Sequence, residues 1–191
     1  VLKSYIPPVL VAFGTVGNIM AILVLRHYYK ILSIAFYLLC FTLVNTLVLY
    51  MGCGMEWISY ITNKPFLSHT SDWLCKVCQF VSSMTIYSSN WLVVLMLIDR
   101  IIFVCWPLRA NAICTVFTAK LFTIFIYIGL LTVSIHSLWT YELNRYGNID
   151  PRQRDFQTVV WPLIAAILYT YIPLLLIFIL LILLSIAIQS F

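Results

Sequence analysis

The sequence predicts an all-α membrane protein, and three observations predict it. Five apolar stretches, at about 6–26, 31–54, 75–104, 119–140 and 158–188, are each long enough to cross a hydrocarbon core of roughly 30 Å as a helix. Hydrophobic residues make up 63% of the 191 and charged residues 9%, with mean hydropathy +1.04. A soluble domain carries about 25% charged residues and could not cover its surface with so few. Most of the charges fall in the connections that flank these stretches, where phosphate headgroups are the nearest anion, so the net charge of +5 points to a lipid bilayer and not to nucleic acid.

The third span is the informative one. From Val77 to Ile98 it runs 22 residues without charge, about 33 Å of helix, and ends in Asp99-Arg100. At about 100° per residue, Gln79, Ser82, Ser83, Ser89, Asn90 and Arg100 fall within one arc of roughly 120°. Phe80, Val81, Met84, Trp91, Leu92 and Leu95 occupy other azimuths, and Thr85 and Ser88 lie off the stripe. Hydroxyls and amides in lipid seek protein partners, so the stripe should face other helices and the apolar arc should face tails. This span is expected at the centre of the bundle.

In the first span Pro7-Pro8 stand at the entrance, and Gly14, Gly17 and Asn18 punctuate the middle. Small residues let a neighbouring helix approach, and Asn18 needs a hydrogen-bond partner at depth. Arg26-His27-Tyr28-Tyr29-Lys30 makes a short basic connection, suited to a tight turn between antiparallel helices. The second span carries Thr42, Asn45 and Thr46. Met55 to Asp72 is expected to be a loop, because Pro65 breaks a continuous helix and His69 suits a solvated position.

Arg109 to Lys120 reads as a polar connection before the fourth span, near whose end His136 is either a pocket residue or an interface residue with a local partner. Tyr141 to Asp155, the most polar segment, is expected to be a loop. The last stretch, Phe156 to Phe191, is 36 uncharged residues, about 54 Å as one helix, so its first turns should stand outside the membrane. Pro173 deep within it frees the carbonyl four residues earlier and should kink the helix. The chain starts at Val1 and stops inside an apolar run, so a fragment is expected. Orientation by charge fails, with five Lys/Arg at one face and six at the other.

Six cysteines stand at 40, 53, 75, 78, 105 and 114. Cys75-Lys76-Val77-Cys78 has the spacing of a metal or redox pair, but the sequence offers no second pair and no histidine set, so no metal and no cofactor is expected. No carboxylate lies at mid-depth beside the scattered His27, His69 and His136, so the chain is not expected to be an enzyme. A transporter or channel subunit, with the polar stripe lining a path, is the alternative. Against it, no span interior carries a charged coupling residue and no internal repeat is evident.

The run Asp99-Arg100-Ile101-Ile102-Phe103-Val104-Cys105-Trp106-Pro107-Leu108 resembles the Asp-Arg-Tyr motif and following Pro-Leu loop of rhodopsin-like G protein-coupled receptors. Gly17-Asn18 is similar to that family's first-helix motif, Trp73-Leu74-Cys75 to its approach to the third helix, Ser89 to a hydroxyl of its sodium pocket, and Tyr171-Ile172-Pro173 to its fifth-helix proline. The resemblance covers the whole chain, as helices one to five of a partial seven-transmembrane-helix bundle.

It implies a plasma-membrane receptor that binds an extracellular ligand and activates a heterotrimeric G protein. Asp99, Arg100, Pro107 and Leu108 would serve coupling, with Arg100 at the cytoplasmic face. Gln79, Ser82, Ser83, Ile86 and Tyr87 would line the outer ligand pocket, and Asn18, Asn45 and Ser89 would form the mid-membrane polar network. Without the other landmarks, Arg100 reads more readily as a snorkelling arginine at a helix end, with Asp99 an incidental neighbour.

Several positions depart from the family pattern. Ile101 replaces the motif tyrosine, Asn45 stands where an aspartate is usual, Tyr127 takes a usual tryptophan position, and Leu181 replaces a fifth-helix tyrosine. In that family Cys75 would pair with a cysteine of the second outer loop; no cysteine lies between Trp139 and Phe191, so Cys75 is free, pairs outside this stretch, or faces a loop that has lost or diverged from the pattern. Ser82 stands where amine receptors carry an aspartate, which disfavours a monoamine. The Trp139-Thr140-Tyr141 turn and Trp161-Pro162 entrance are similar to invertebrate neuropeptide receptors of the FMRFamide type, which implies a peptide ligand.

Overall fold

The computed structural model describes residues 2–62, 72–135, 138, 141–143, 149–151 and 159–189; for 2–4, 72, 75, 141–143 and 149–151 it describes the backbone alone. His69, His136, Trp139, Thr140, Arg145, Arg152 and Arg154 lie outside the described residues.

The chain is an all-α bundle with five helices long and apolar enough to cross a membrane, at Tyr5–Tyr28, Ser33–Thr62, Lys76–Cys105, Val116–Ser134 and Trp161–Gln189. It is a multi-pass membrane protein. Large apolar side chains stay exposed along the first and last spans, Phe13 and Phe178 among them, a band that suits a hydrocarbon surrounding.

Helix α1 (Leu2–Tyr28) contains both Pro7 and Pro8, one turn deeper than an entrance position. It packs on α2 (Ser33–Leu49), and a side chain added at Gly14 would meet the Leu49 Cδ2 methyl at 2.7 Å. Gly17 faces open space instead, so only one of the two glycines serves close approach.

The second span does not end in a loop at Met55. Its helix passes through a π-helical turn at Tyr50–Gly54 and continues as α3 (Met55–Thr62). Gly52 and Gly54 ease the wider turn, and the Tyr50 hydroxyl shares a 3.0 Å hydrogen bond with the Thr15 hydroxyl of α1. Pro65, which breaks helix, lies beyond this point and outside the described residues.

Helix α4 (Asp72–Cys105) is central, packed against α2, α6 (Val116–Ser134) and the last span. The expected division between a protein-facing stripe and a lipid-facing arc is corrected here. Leu92 and Leu95 are buried, and they form the core with Tyr37, Val44 and Ala119. A helix with neighbours on several sides packs its apolar azimuths on protein as well. Thr85 and Ser88, off the stripe, are the most buried hydroxyls of α4, and each bonds a backbone carbonyl of its own helix.

The segment after α4 is also more ordered than a polar connection. Pro107 opens a short helix, α5 (Pro107–Ile113), and Thr115 then caps α6, its hydroxyl accepting from the Thr118 N–H at 3.2 Å. Within the Tyr141–Asp155 loop, β1 (Tyr141–Leu143) pairs antiparallel with β2 (Ile149–Pro151), Glu142 opposite Asp150, against α4. The last span runs from α7 (Trp161–Ala166) through a second π-helical turn, Ile167–Tyr171, into α8 (Ile172–Gln189).

Candidate functional site

The polar residues of α4 act at three depths. At the level of the π-helical turn before α8, Asn90 donates from Nδ2 to the Tyr169 carbonyl at 2.7 Å. That carbonyl lies four residues before Pro173, whose ring nitrogen has no proton to give it. The Ile172 N–H reaches back five residues to Ile167, the signature of the widened turn. Asn90 therefore supplies the donor that Pro173 withholds. The Tyr169 ring stacks on Tyr87 at 3.7 Å between centroids, 9° from parallel, one turn of α4 away from Asn90. Tyr169 and Pro173 are both buried at this crossing.

One residue from Asn90 but turned toward α2, Ser89 donates to the Asn45 Oδ1 at 3.1 Å. The structure thus brings together two of the three residues of the expected mid-membrane network. Asn18 is half-buried on α1 and makes no hydrogen bond among the described residues. Thr42 and Thr46, which flank Asn45, instead bond the carbonyls of Leu38 and Thr42 along their own helix.

At the Cys105 end of α4, Asp99 is 6% exposed and accepts from the Arg100 guanidinium at 3.0 Å. A cavity of about 90 Å³ borders the carboxylate, with Tyr37, Leu95, Cys114 and Thr118 around it. Arg100 is 38% exposed, its guanidinium carbon 5.4 Å from the centre of the Phe103 ring. Its Nε is buried without an acceptor among the described residues. Asp99 and Phe103, the two groups that hold the guanidinium, both belong to α4 itself.

Cys114, in the turn between α5 and α6, donates its thiol to the Asp99 backbone carbonyl at 3.7 Å. Burial pushes this thiol up to about 11, and the Asp99 charge adds to the rise. Beyond the helix end, Trp106 is 56% and Leu108 96% exposed, so the Pro107 turn presents a bare apolar knuckle.

The five residues expected to line an outer pocket lie along the first half of α4. Gln79, Ser82, Ser83 and Tyr87 are half-buried, Ser83 donates to the Gln79 carbonyl at 2.8 Å, and Ile86 is 51% exposed. The Cys75 side chain, on which the expected disulfide turns, lies outside the described atoms; Cys40, Cys53, Cys78, Cys105 and Cys114 are free thiols.

Sequence reasoning found Asn90 on the stripe and the carbonyl that Pro173 frees, but it did not join them. The signal was available in the count of four residues from Pro173 back to Tyr169. The Tyr87–Tyr169 stack and the Arg100–Phe103 contact had no comparable signal, because both depend on rotamers. No protein-family model matches the chain, and no curated protein matches it.

Proposed function

We propose that the chain is a partial seven-helix receptor of the rhodopsin-like type, carrying five of the helices, which binds an extracellular peptide and activates a heterotrimeric G protein from the plasma membrane. The observation that carries this reading is the Asp99–Arg100 pair at the end of the central helix. Its carboxylate is buried, its guanidinium is half open, and the exposed Trp106-Pro107-Leu108 knuckle follows directly.

An arginine held by a buried carboxylate at the mouth of a bundle is metastable in a useful sense. It costs desolvation to keep, and any rearrangement offering better acceptors can draw it away. Ligand binding at the other end shifts the bundle only by binding one arrangement more tightly than another. In the receptor reading, the open arrangement releases Arg100 toward a helix of the G protein while Leu108 docks against the G protein surface. The Asn90–Tyr169 bond and the Tyr87–Tyr169 stack lie between the two ends, where repacking of the last span against α4 would pass.

The test is the complete coding sequence expressed in cells with a panel of G proteins and challenged with amidated peptides. Peptide-dependent nucleotide exchange is expected, with Arg100→Ala abolishing exchange while surface level is unchanged. Exchange that persists in Arg100→Ala would overturn the role given to Arg100. A peptide-independent solute or ion flux with no exchange would overturn the receptor reading itself.

A further inference from the structure

Asp99 is the one buried charged side chain among the described residues. An ionised carboxylate offers about four acceptor positions. Arg100 fills one of them, on Oδ2, and Oδ1 accepts no hydrogen bond among the described residues. A single bond from the next residue of the same helix, whose guanidinium is itself half open, does not offset the desolvation of a carboxylate; further donors are needed at the remaining lone pairs.

The cavity of about 90 Å³ beside Asp99 shows where such a donor stands. Tyr37 of α2 lines it from the core and is 3% exposed, and its hydroxyl makes no hydrogen bond among the described residues. The Tyr37 hydroxyl and the Asp99 Oδ1 both keep accessible surface, whereas the Arg100 Nε is sealed. The two residues border one cavity, and the Asp99 charge acts on the Tyr37 hydroxyl, so they face a shared space without touching. Cys114 and Thr118 add a thiol and a hydroxyl to the same wall, and Leu95 and Phe122 close its apolar side. The volume has room for about three waters at roughly 30 Å³ each, and a water is retained in such a place where two to four polar groups converge on it. Water there relays a hydrogen bond across a gap too wide for a direct one.

We propose that Tyr37 is a positioning residue for the Asp99–Arg100 pair, its hydroxyl holding the Asp99 carboxylate through water bound in this cavity. Tyr37 donates to the water, and the water donates to the Asp99 Oδ1. The carboxylate therefore keeps a donor when Arg100 leaves, and release of the arginine does not strand a bare buried charge. The release step rests on the receptor reading; the water-bridged contact does not.

Tyr37→Phe removes the hydroxyl and keeps the ring in the core. The test is equilibrium unfolding of the full chain in mixed micelles for the parent, Tyr37→Phe, Arg100→Ala and the double variant. Tyr37→Phe should lower the folding equilibrium about threefold in the parent and about tenfold after Arg100→Ala, where the carboxylate has lost its other donor. A hydroxyl that served packing alone would cost the same in both backgrounds, and equal costs overturn the proposal. Arg100→Gln, which keeps length without charge, takes the place of Arg100→Ala if the alanine variant does not fold. In the complete coding sequence, Tyr37→Phe should raise the peptide concentration for half-maximal nucleotide exchange about tenfold at unchanged surface level. Unaltered exchange in Tyr37→Phe beside a responsive parent overturns the part given to Tyr37 in releasing Arg100. A parent without exchange counts against the receptor reading alone, and the unfolding cycle still decides the contact.

Discussion

Removing the Asn90 amide tests whether a side chain on the central helix substitutes for the proton that Pro173 lacks. In Asn90→Ala the Tyr169 carbonyl, buried at the α4–α8 crossing, loses the donor 2.7 Å away. Interhelical hydrogen bonds in membrane proteins average about 0.6 kcal/mol and reach about 1.7. An acceptor left unpaired when its partner is deleted costs about 1–3 kcal/mol. The expected loss is therefore about 1–2 kcal/mol, five- to thirtyfold in the folding equilibrium.

The informative comparison is the same change in a Pro173→Ala background. An alanine there regains a backbone N–H in register with the Tyr169 carbonyl, so the helix can supply its own donor. Asn90→Ala should then cost under about 0.5 kcal/mol, leaving a coupling of about 1 kcal/mol between two residues on different helices. The assay is equilibrium unfolding in mixed micelles followed by far-ultraviolet circular dichroism, for the parent, both single variants and the double variant. The cycle cancels the packing lost with the proline ring. Equal cost of Asn90→Ala in both backgrounds would refute the reasoning, as would a cost indistinguishable from zero in the parent.

Other expectations follow from the same geometry. Thr115→Ala removes the cap of α6 and should cost about 1 kcal/mol by the same unfolding assay, whereas Thr115→Ser should restore most of it. Cys114 should alkylate slowly at pH 8, at least about tenfold slower than free cysteine, because its thiol is raised to about 11 and little thiolate is present. Since the raised thiol favours the neutral form, its contribution to stability is complete below about pH 9 and fades as pH climbs through about 11. Asp99→Asn should speed the labelling, and an unchanged rate would remove Asp99 as a cause. Because the Asn45–Ser89 pair contains no carboxylate, exchanging sodium for choline should leave the melting temperature unchanged, and a sodium-specific rise would contradict this. Gly14→Ala should cost less than about 1 kcal/mol, because the atom it meets is the rotatable tip of Leu49, and Gly14→Leu should separate α1 from α2.

Much of the architecture was legible because bilayers impose length and composition directly. The five spans, the central place of α4 and the special status of the carbonyl before Pro173 all follow from hydropathy, polar content and the absent proline N–H. What escaped were consequences of packing. Leu92 and Leu95 look lipid-facing when α4 is considered alone and become core once α2 and α6 are set beside it. The helical continuation to Thr62 was hidden because Glu56 and the flanking glycines mimic a loop opening. At the site, Ser89 and Asn45 could be paired by their depth, but Asn18 at similar depth remains without a hydrogen bond among the described residues.

The widened turn at Tyr50–Gly54 holds one residue more than an α-helical turn would need, and this surplus sets the azimuth of everything after it. Excising one residue there would return the turn to α-helical geometry and leave Met55–Thr62 near its present azimuth, whereas closing the turn into α-helix with every residue kept would swing Met55–Thr62 around by about 100°. Glu56 and Trp57 would exchange faces with their neighbours while Ser33–Leu49 stayed in place. One surplus amino acid thus works as a rotary offset, allowing the two halves of a single span to answer to different surroundings.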